Sequence, residues 1–171
     1  NTVLMGWAKN TKDPIWFTQM TQRLKGIDYN ILYLDYDKER GFGNKETIDI
    51  WWDHFGDSAD LTLQLVKLIQ KSSDWRKAHV RLFVINTNFD LKDEVQQKVE
   101  QLLANLRLDA EVKIINNYQE ESSYSLIESY SSETDLNFVE LPEVINSEKF
   151  VKETNSLFEY IGTTLLVGAS S

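Results

Sequence analysis

Seven short, near-continuous apolar runs recur along this chain with helix-like spacing between them, and this alternation constrains the fold more than any other feature. The runs are TVLMGW (2 to 7), ILYLDY (31 to 36), TIDIWW (47 to 52), HVRLFVI (79 to 85), EVKIIN (111 to 116), LNFVEL (136 to 141) and TTLLVG (163 to 168). Runs that stay apolar on successive residues, not on alternate ones, belong to strands covered on both faces, which crossover helices provide. The reading is an α/β fold: an open, mostly parallel sheet of about seven strands with helices on both faces. DKERGFGNKE, between Tyr36 and Thr47, is too short for a crossover helix and carries two glycines. Strands two and three are therefore expected to form an antiparallel edge hairpin.

The helices announce themselves by caps and periodicity. Asp13-Pro14 supplies an acceptor and then a residue whose missing N–H costs nothing at the first helical position, with Trp16, Phe17, Met20 and Leu24 expected inward and Gly26 at the end. A second helix begins near Asp57 or Asp60 and is expected to bury Leu61, Leu65, Leu68 and Ile69. From Asp90 to Leu106 apolar residues return every three or four positions, at Leu91, Val95, Val99, Leu102, Leu103 and Leu106. The last helix starts at Ser147, carries Phe150, Thr154, Leu157, Phe158 and Ile161 on one stripe, and stops at Gly162, expected in the left-handed cap conformation. Residues 119 to 135, QEESSYSLIESYSSETD, fit a short amphipathic helix or a loop.

Residues 1 to 171 are read as a single domain, with 42% apolar content to build a core and no window resembling a membrane-spanning helix. The segment is expected to be soluble. It has no cysteine, so disulfides, thiolate metal sites and thiol nucleophiles are excluded. The net charge of −9 makes the surface on average repel phosphate backbones and anionic headgroups, so neither nucleic acid nor lipid is an expected partner.

The loop DHFGDSAD, 53 to 60, follows a strand and opens a helix, where open α/β sheets place their sites. Asp53, His54, Asp57 and Asp60 lack a recognised ligand spacing, and helix capping explains at least one carboxylate. Trp51 and Trp52 alternate across a strand and read as core residues, one on each face. His79 reads as a polar boundary residue. Neither GxGxxG nor GxxxxGK[ST] occurs, and the closing GASS has no accompanying GxxG of the kind nucleotide-binding universal stress proteins carry. No GxSxG elbow is present. No catalytic, cofactor or metal site is assigned, and the chain is not read as an enzyme.

IDIWW, LTLQLVKLI and DWRKAHVRLFV, in that order, resemble the cytosolic C-terminal region of the cation-chloride cotransporters. That family has an Ile-Asp-Val-Trp-Trp strand, an acidic glycine-containing turn, a Leu-Thr-Leu helix, a Trp-Lys segment and an Ile-Arg-Val-Phe strand. The corresponding elements are Ile48 to Trp52, Leu61 to Leu63, Trp75 to Lys77 and Val80 to Phe83. NTVLMGW, LLANLRLDAEVKII, FVELPEV and TTLLVGASS also resemble family segments in the same order, so the likeness spans nearly the whole chain. The turn HFGDSAD is longer than the family's usual link and the 117 to 135 connection is shorter than in animal members; compact loops look more like a prokaryotic member.

The resemblance implies a universal-stress-protein-like fold and a regulatory, dimerising domain of a carrier that moves chloride with sodium and/or potassium. It also implies membrane helices upstream in the same chain and a place on the cytoplasmic face of the membrane. The alternative reading is a free-standing, universal-stress-like nucleotide-binding domain.

Overall fold

The structure, a computed structural model, describes every residue except 8, 54–56, 144, 146 and 171. All seven apolar runs become strands of one sheet: β1 (Thr2–Gly6), β2 (Asn30–Asp35), β3 (Thr47–Trp52), β4 (His79–Asn86), β5 (Glu111–Asn116), β6 (Leu136–Glu140) and β7 (Thr164–Gly168). The helices are α1 (Pro14–Lys25), α2 (Asp57–Ile69), α3 (Lys92–Leu106), α4 (Ser123–Ser131) and α5 (Ser147–Phe158). Strand order is β1-β2-β7-β6-β3-β4-β5. β3 to β7 all run one way; β1 and β2, parallel to each other, run the other way, and β2 meets β7 antiparallel.

The expected hairpin between β2 and β3 does not form, because β7 and β6 lie between them. Among the described residues the one antiparallel seam is β2 against β7, inside the sheet. Both β2 and β3 are almost wholly buried, and an edge position would leave one of them with a row of unpaired backbone groups. The glycines serve a folded crossing instead of a tight turn. Gly41 and Gly43 take positive φ, and a Cβ on Gly43 would sit 2.0 Å from an Asp135 carboxylate oxygen. That carboxylate accepts the backbone N–H groups of Asn44, Glu46 and Thr47, tying the crossing to the start of β6.

Two cores result, one on each face. Trp51 faces the side covered by α1, α4 and α5 and Trp52 the side covered by α2 and α3, as strand alternation requires. On the first side Trp7 meets Phe17, Tyr33, Phe150 and Phe158 edge-on, with ring centroids 5.1 to 5.8 Å apart, and its indole N–H donates to Asn155 Oδ1 at 2.7 Å. Burying each such ring contributes roughly 1.5–3 kcal/mol.

The helices shift in detail from the periodicity reading. Asp13 caps α1 through the Trp16 N–H, but Trp16 is 59% exposed and the inward stripe is Phe17, Thr18 and Thr21. Thr21 can be buried because its hydroxyl bonds both Tyr33 Oη and the Phe17 carbonyl. On α2, Leu68 is exposed and Ala59, Thr62, Leu63 and Val66 are inside. α3 starts two residues later than expected, after a 3-10 turn at Phe89–Leu91 that leaves Leu91 exposed. α5 stops at Phe158, and Gly162 does not adopt positive φ. What Gly162 supplies is room: a Cβ there would lie 2.8 Å from Arg40 Nη2. β1 is also less covered than its composition suggests, with Leu4 60% exposed on the sheet edge. Among the described residues no helix is long and apolar enough to cross a membrane.

Candidate functional site

Within the five parallel strands the order reverses between β3 and β6: β4 and β5 follow on one side, β7 on the other. Ligand sites of open α/β sheets lie in the crevice beyond the carboxyl ends of the strands at such a point. A cavity of about 360 Å³ opens there, lined by Asp53, Ser123, Tyr124, Pro142, Lys149 and Glu153. Ser123, in the first turn of α4, donates to both carboxylate oxygens of Asp53 at 3.2 and 3.1 Å. This ties α4 to the end of β3 across the crevice mouth. Tyr124 Oη lies 3.1 Å from Thr154 Oγ1. Burial pushes the Tyr124 phenol above its ordinary value, the Thr154 bond opposes this, and the negative charges of Glu153 and Asp53 add to it. At neutral pH the phenol is therefore protonated and cannot serve as a base.

Among the described loop residues singled out in the sequence, Asp53 is the one that reaches this crevice. Asp57 and Asp60 sit exposed in the first turn of α2, where carboxylates favour the helix start, and Asp60 accepts from Gln64 Nε2 at 3.0 Å. His54 lies outside the described residues. Among the described residues no group of three or more His, Asp or Glu side chains converges to hold a metal ion. His79 is exposed at the amino end of β4, 2.8 Å from Glu111 Oε2, and its hydrogen bond is the main reason the Glu111 carboxyl titrates below its ordinary range.

A densely bonded polar group lies deeper, under α4. Asp49 on β3 has no exposed surface. Arg81, its partner in register on β4, bonds it bidentately at 2.7 and 2.6 Å. Ser131 and Thr134, at and beyond the end of α4, donate to the same carboxylate at 2.6 and 2.5 Å. Trp51 stacks on Phe83 with centroids 4.3 Å apart and planes 6° apart, and its indole N–H donates to Ser131 Oγ at 2.8 Å. The Arg81 guanidinium lies over the Phe83 ring at 5.1 Å. Within 119 to 135 the helix is α4, Ser123–Ser131, held at one end by Asp53 and at the other by Asp49.

Asp49 and Arg81 were missed from sequence, although a signal existed. Each is a lone charged residue in the middle of an otherwise apolar strand (TIDIWW, HVRLFV), and charges in doubly covered strands persist only when paired.

A larger cleft, about 860 Å³, opens at the carboxyl ends of β1 and β2 and is lined in part by Trp7, Lys9, Asp35, Asp37, Arg40 and Tyr160. Asp35 is 5% exposed and 3.3 Å from Lys9 Nζ. Burial raises its pKa above the ordinary value of 3.8, Lys9 opposes the rise, and Asp37 adds to it. A carboxyl whose folded pKa is raised contributes most below the unfolded value and loses that contribution as pH climbs through the folded one. Asp35→Asn, which cannot ionise, should accordingly gain stability relative to the unaltered chain between acid and neutral pH. Urea midpoints at about pH 3 and about pH 7 measure this; an equal difference at both would show that the Asp35 charge is not penalised in the fold.

A model of solute carrier family 12 matches residues 8–155. The chain is also similar in fold to a crystal structure of the cytoplasmic domain of a prokaryotic cation chloride cotransporter, with TM-score 0.76 and 13% identity over 99% of this chain. A universal stress protein from Archaeoglobus fulgidus DSM 4304 matches with TM-score 0.63 and 12% identity, again over 99% of this chain. The chain spans 64% of the length of the first structure and 61% of the second.

Proposed function

Because the chain belongs to solute carrier family 12, we propose that it is a cytoplasmic regulatory and dimerisation domain of a carrier that moves chloride together with sodium and/or potassium, and that it performs no chemistry itself. The observation that carries this reading is the family match over residues 8–155. The likeness of nearly the whole chain to the cytoplasmic domain of a prokaryotic cation chloride cotransporter supports it. In this reading residues 1–171 act as one body on the cytoplasmic face of the membrane, tethered by transport helices of the same chain.

Such a body biases a carrier only if its contacts with the transport helices differ between transport states, because a domain with equal affinity for both shifts neither. Stiffness favours the role: α4 is fastened at both ends to β3, through Asp53 and Asp49. Asn1 and Ser170 both lie beside Asn30, so transport helices preceding Asn1 would approach from the end that carries the crevice between β3 and β6.

Sedimentation velocity over a concentration series tests the pairing. A monomer–dimer equilibrium is the expected result, and a monomer at every concentration would remove dimerisation from the role. An ATP titration followed by tryptophan fluorescence tests the universal-stress alternative, with no saturable change expected.

A further inference from the structure

The average charge of −9 conceals a segregated cation cluster. A cleft of about 670 Å³ opens at the amino ends of β4 and β5, walled by the carboxyl ends of α2 and α3. Its volume lies within the range of small-ligand sites. Five of the chain's 18 Lys and Arg line it, Lys67, Lys71, Arg76, Lys77 and Arg107, against Asp109 and Glu111 from its 27 acidic residues.

Helix electrostatics explain only part of this enrichment. Cations belong at helix carboxyl ends, and Lys67 Nζ does donate to the Leu106 carbonyl at 2.7 Å. Glu111 is already engaged by His79 and Lys113. Among the described residues, however, the side chains of Lys71, Arg76, Lys77 and Arg107 have no ion pair or hydrogen bond. Two helix ends contribute roughly half a negative charge each and Asp109 a whole one. Four unpaired cations therefore leave a surplus of about two positive charges. Arg107 also closes α3 in the left-handed conformation, φ 52, a position that glycine or asparagine ordinarily takes.

We propose that this cleft binds a compact, multiply phosphorylated anion, supplied either free in solution or as a lipid headgroup. Two guanidinium groups match phosphate oxygens bidentately and two ammonium groups act as point charges. Among the described residues the lining has no Trp, Tyr or Phe on which a nucleobase would stack, and the His79 ring is held by Glu111, so recognition rests on phosphate charge. The inference rests on the charge distribution; because the cleft lies at the end of the sheet opposite Asn1 and Ser170, a soluble source fits the orientation proposed above and a headgroup source would overturn that orientation but not the site. It also qualifies the expectation, drawn from net charge, that phosphate groups are repelled.

Calorimetric titration of the chain with inorganic tripolyphosphate tests the site. Saturable binding is expected, weakened about tenfold or more in R76Q/K77Q, whose side chains are exposed, and unchanged in K12Q/K152Q, which removes two cations elsewhere. In the unaltered chain, amide resonances over 67–80 and 106–111 should shift on titration, a readout that does not depend on any variant folding. Absence of saturable heat, equal weakening in both double variants, shifts confined to other segments, or equally tight binding of polyglutamate would each overturn the proposal. Flotation with phosphatidylcholine vesicles containing phosphatidylinositol bisphosphate identifies the source. Co-flotation lost in R76Q/K77Q marks a headgroup site, and tripolyphosphate binding without flotation marks a soluble ligand; each supports an anion bound in this cleft.

Discussion

Asp49→Ala is expected to cost the fold about 3–5 kcal/mol, because breaking a buried ion pair leaves the surviving charge without compensation. Arg81 is only partly exposed and would lose both bonds to the carboxylate, while Ser131 and Thr134 would lose their common acceptor. For a chain of this size 1 kcal/mol corresponds to roughly 2–4 °C in Tm, so a fall on the order of 10 °C should be seen by calorimetry. The effect has a second signature. With its anchor removed, α4 should exchange its amide hydrogens faster than α2 and α3, whose core lies on the other face. Replacing both partners, as Asp49→Leu with Arg81→Met, should recover much of the loss, since apolar residues of similar volume often substitute for a buried pair at little cost. A loss below about 1 kcal/mol for Asp49→Ala would show that the network is an ornament of the sheet and not its fastening.

Trp51→Ala should cost a similar amount, about 3–5 kcal/mol, by a different route: it opens a cavity beneath α4 and removes the ring that stacks on Phe83. Trp51→Phe separates the two contributions. It retains an aromatic face for Phe83 and loses the bond to Ser131 Oγ, for which about 1 kcal/mol is expected beyond the smaller volume change. Because Trp51 and Asp49 both bond Ser131, the two alanine substitutions should not add. Denaturant midpoints of the single and double variants, compared at constant m, form the cycle, and a coupling of about 0.5–3 kcal/mol is expected. Strict additivity would mean that indole and carboxylate act on α4 separately.

These two residues also show how far local pattern reaches. Alternation placed Trp51 and Trp52 on opposite faces, because successive side chains of a strand point opposite ways whatever its neighbours are. The same rule puts Asp49 on the face of Trp51, but nothing local says what would meet a carboxylate there. Its acceptor capacity is filled by Ser131 and Thr134, more than 80 positions along the chain, and their segment had too weak a periodicity to be assigned as helix or loop. Asp53 was legible as a residue at the end of a strand; that it answers Ser123 was not. The hairpin expectation failed for a related reason. Two glycines permit a tight turn and equally permit the crossing pinned by Asp135, and the strand order, with β7 and β6 between β2 and β3, is what excludes the turn.

Periodicity and capping, both confined to a few neighbouring residues, are enough to fix the number and place of the strands, the start of α1 at its Asp13 cap, and which side of β3 each indole takes. Tertiary structure alone decided that β7 and β6 separate β2 from β3, that Asp49 is fully bonded, and that Lys71, Arg76, Lys77 and Arg107 line one cleft. Periodicity fixes which way a side chain points relative to its own element. Which distant residue stands opposite depends on strand order and helix placement, and these are set by the joint burial of two cores that no local window contains.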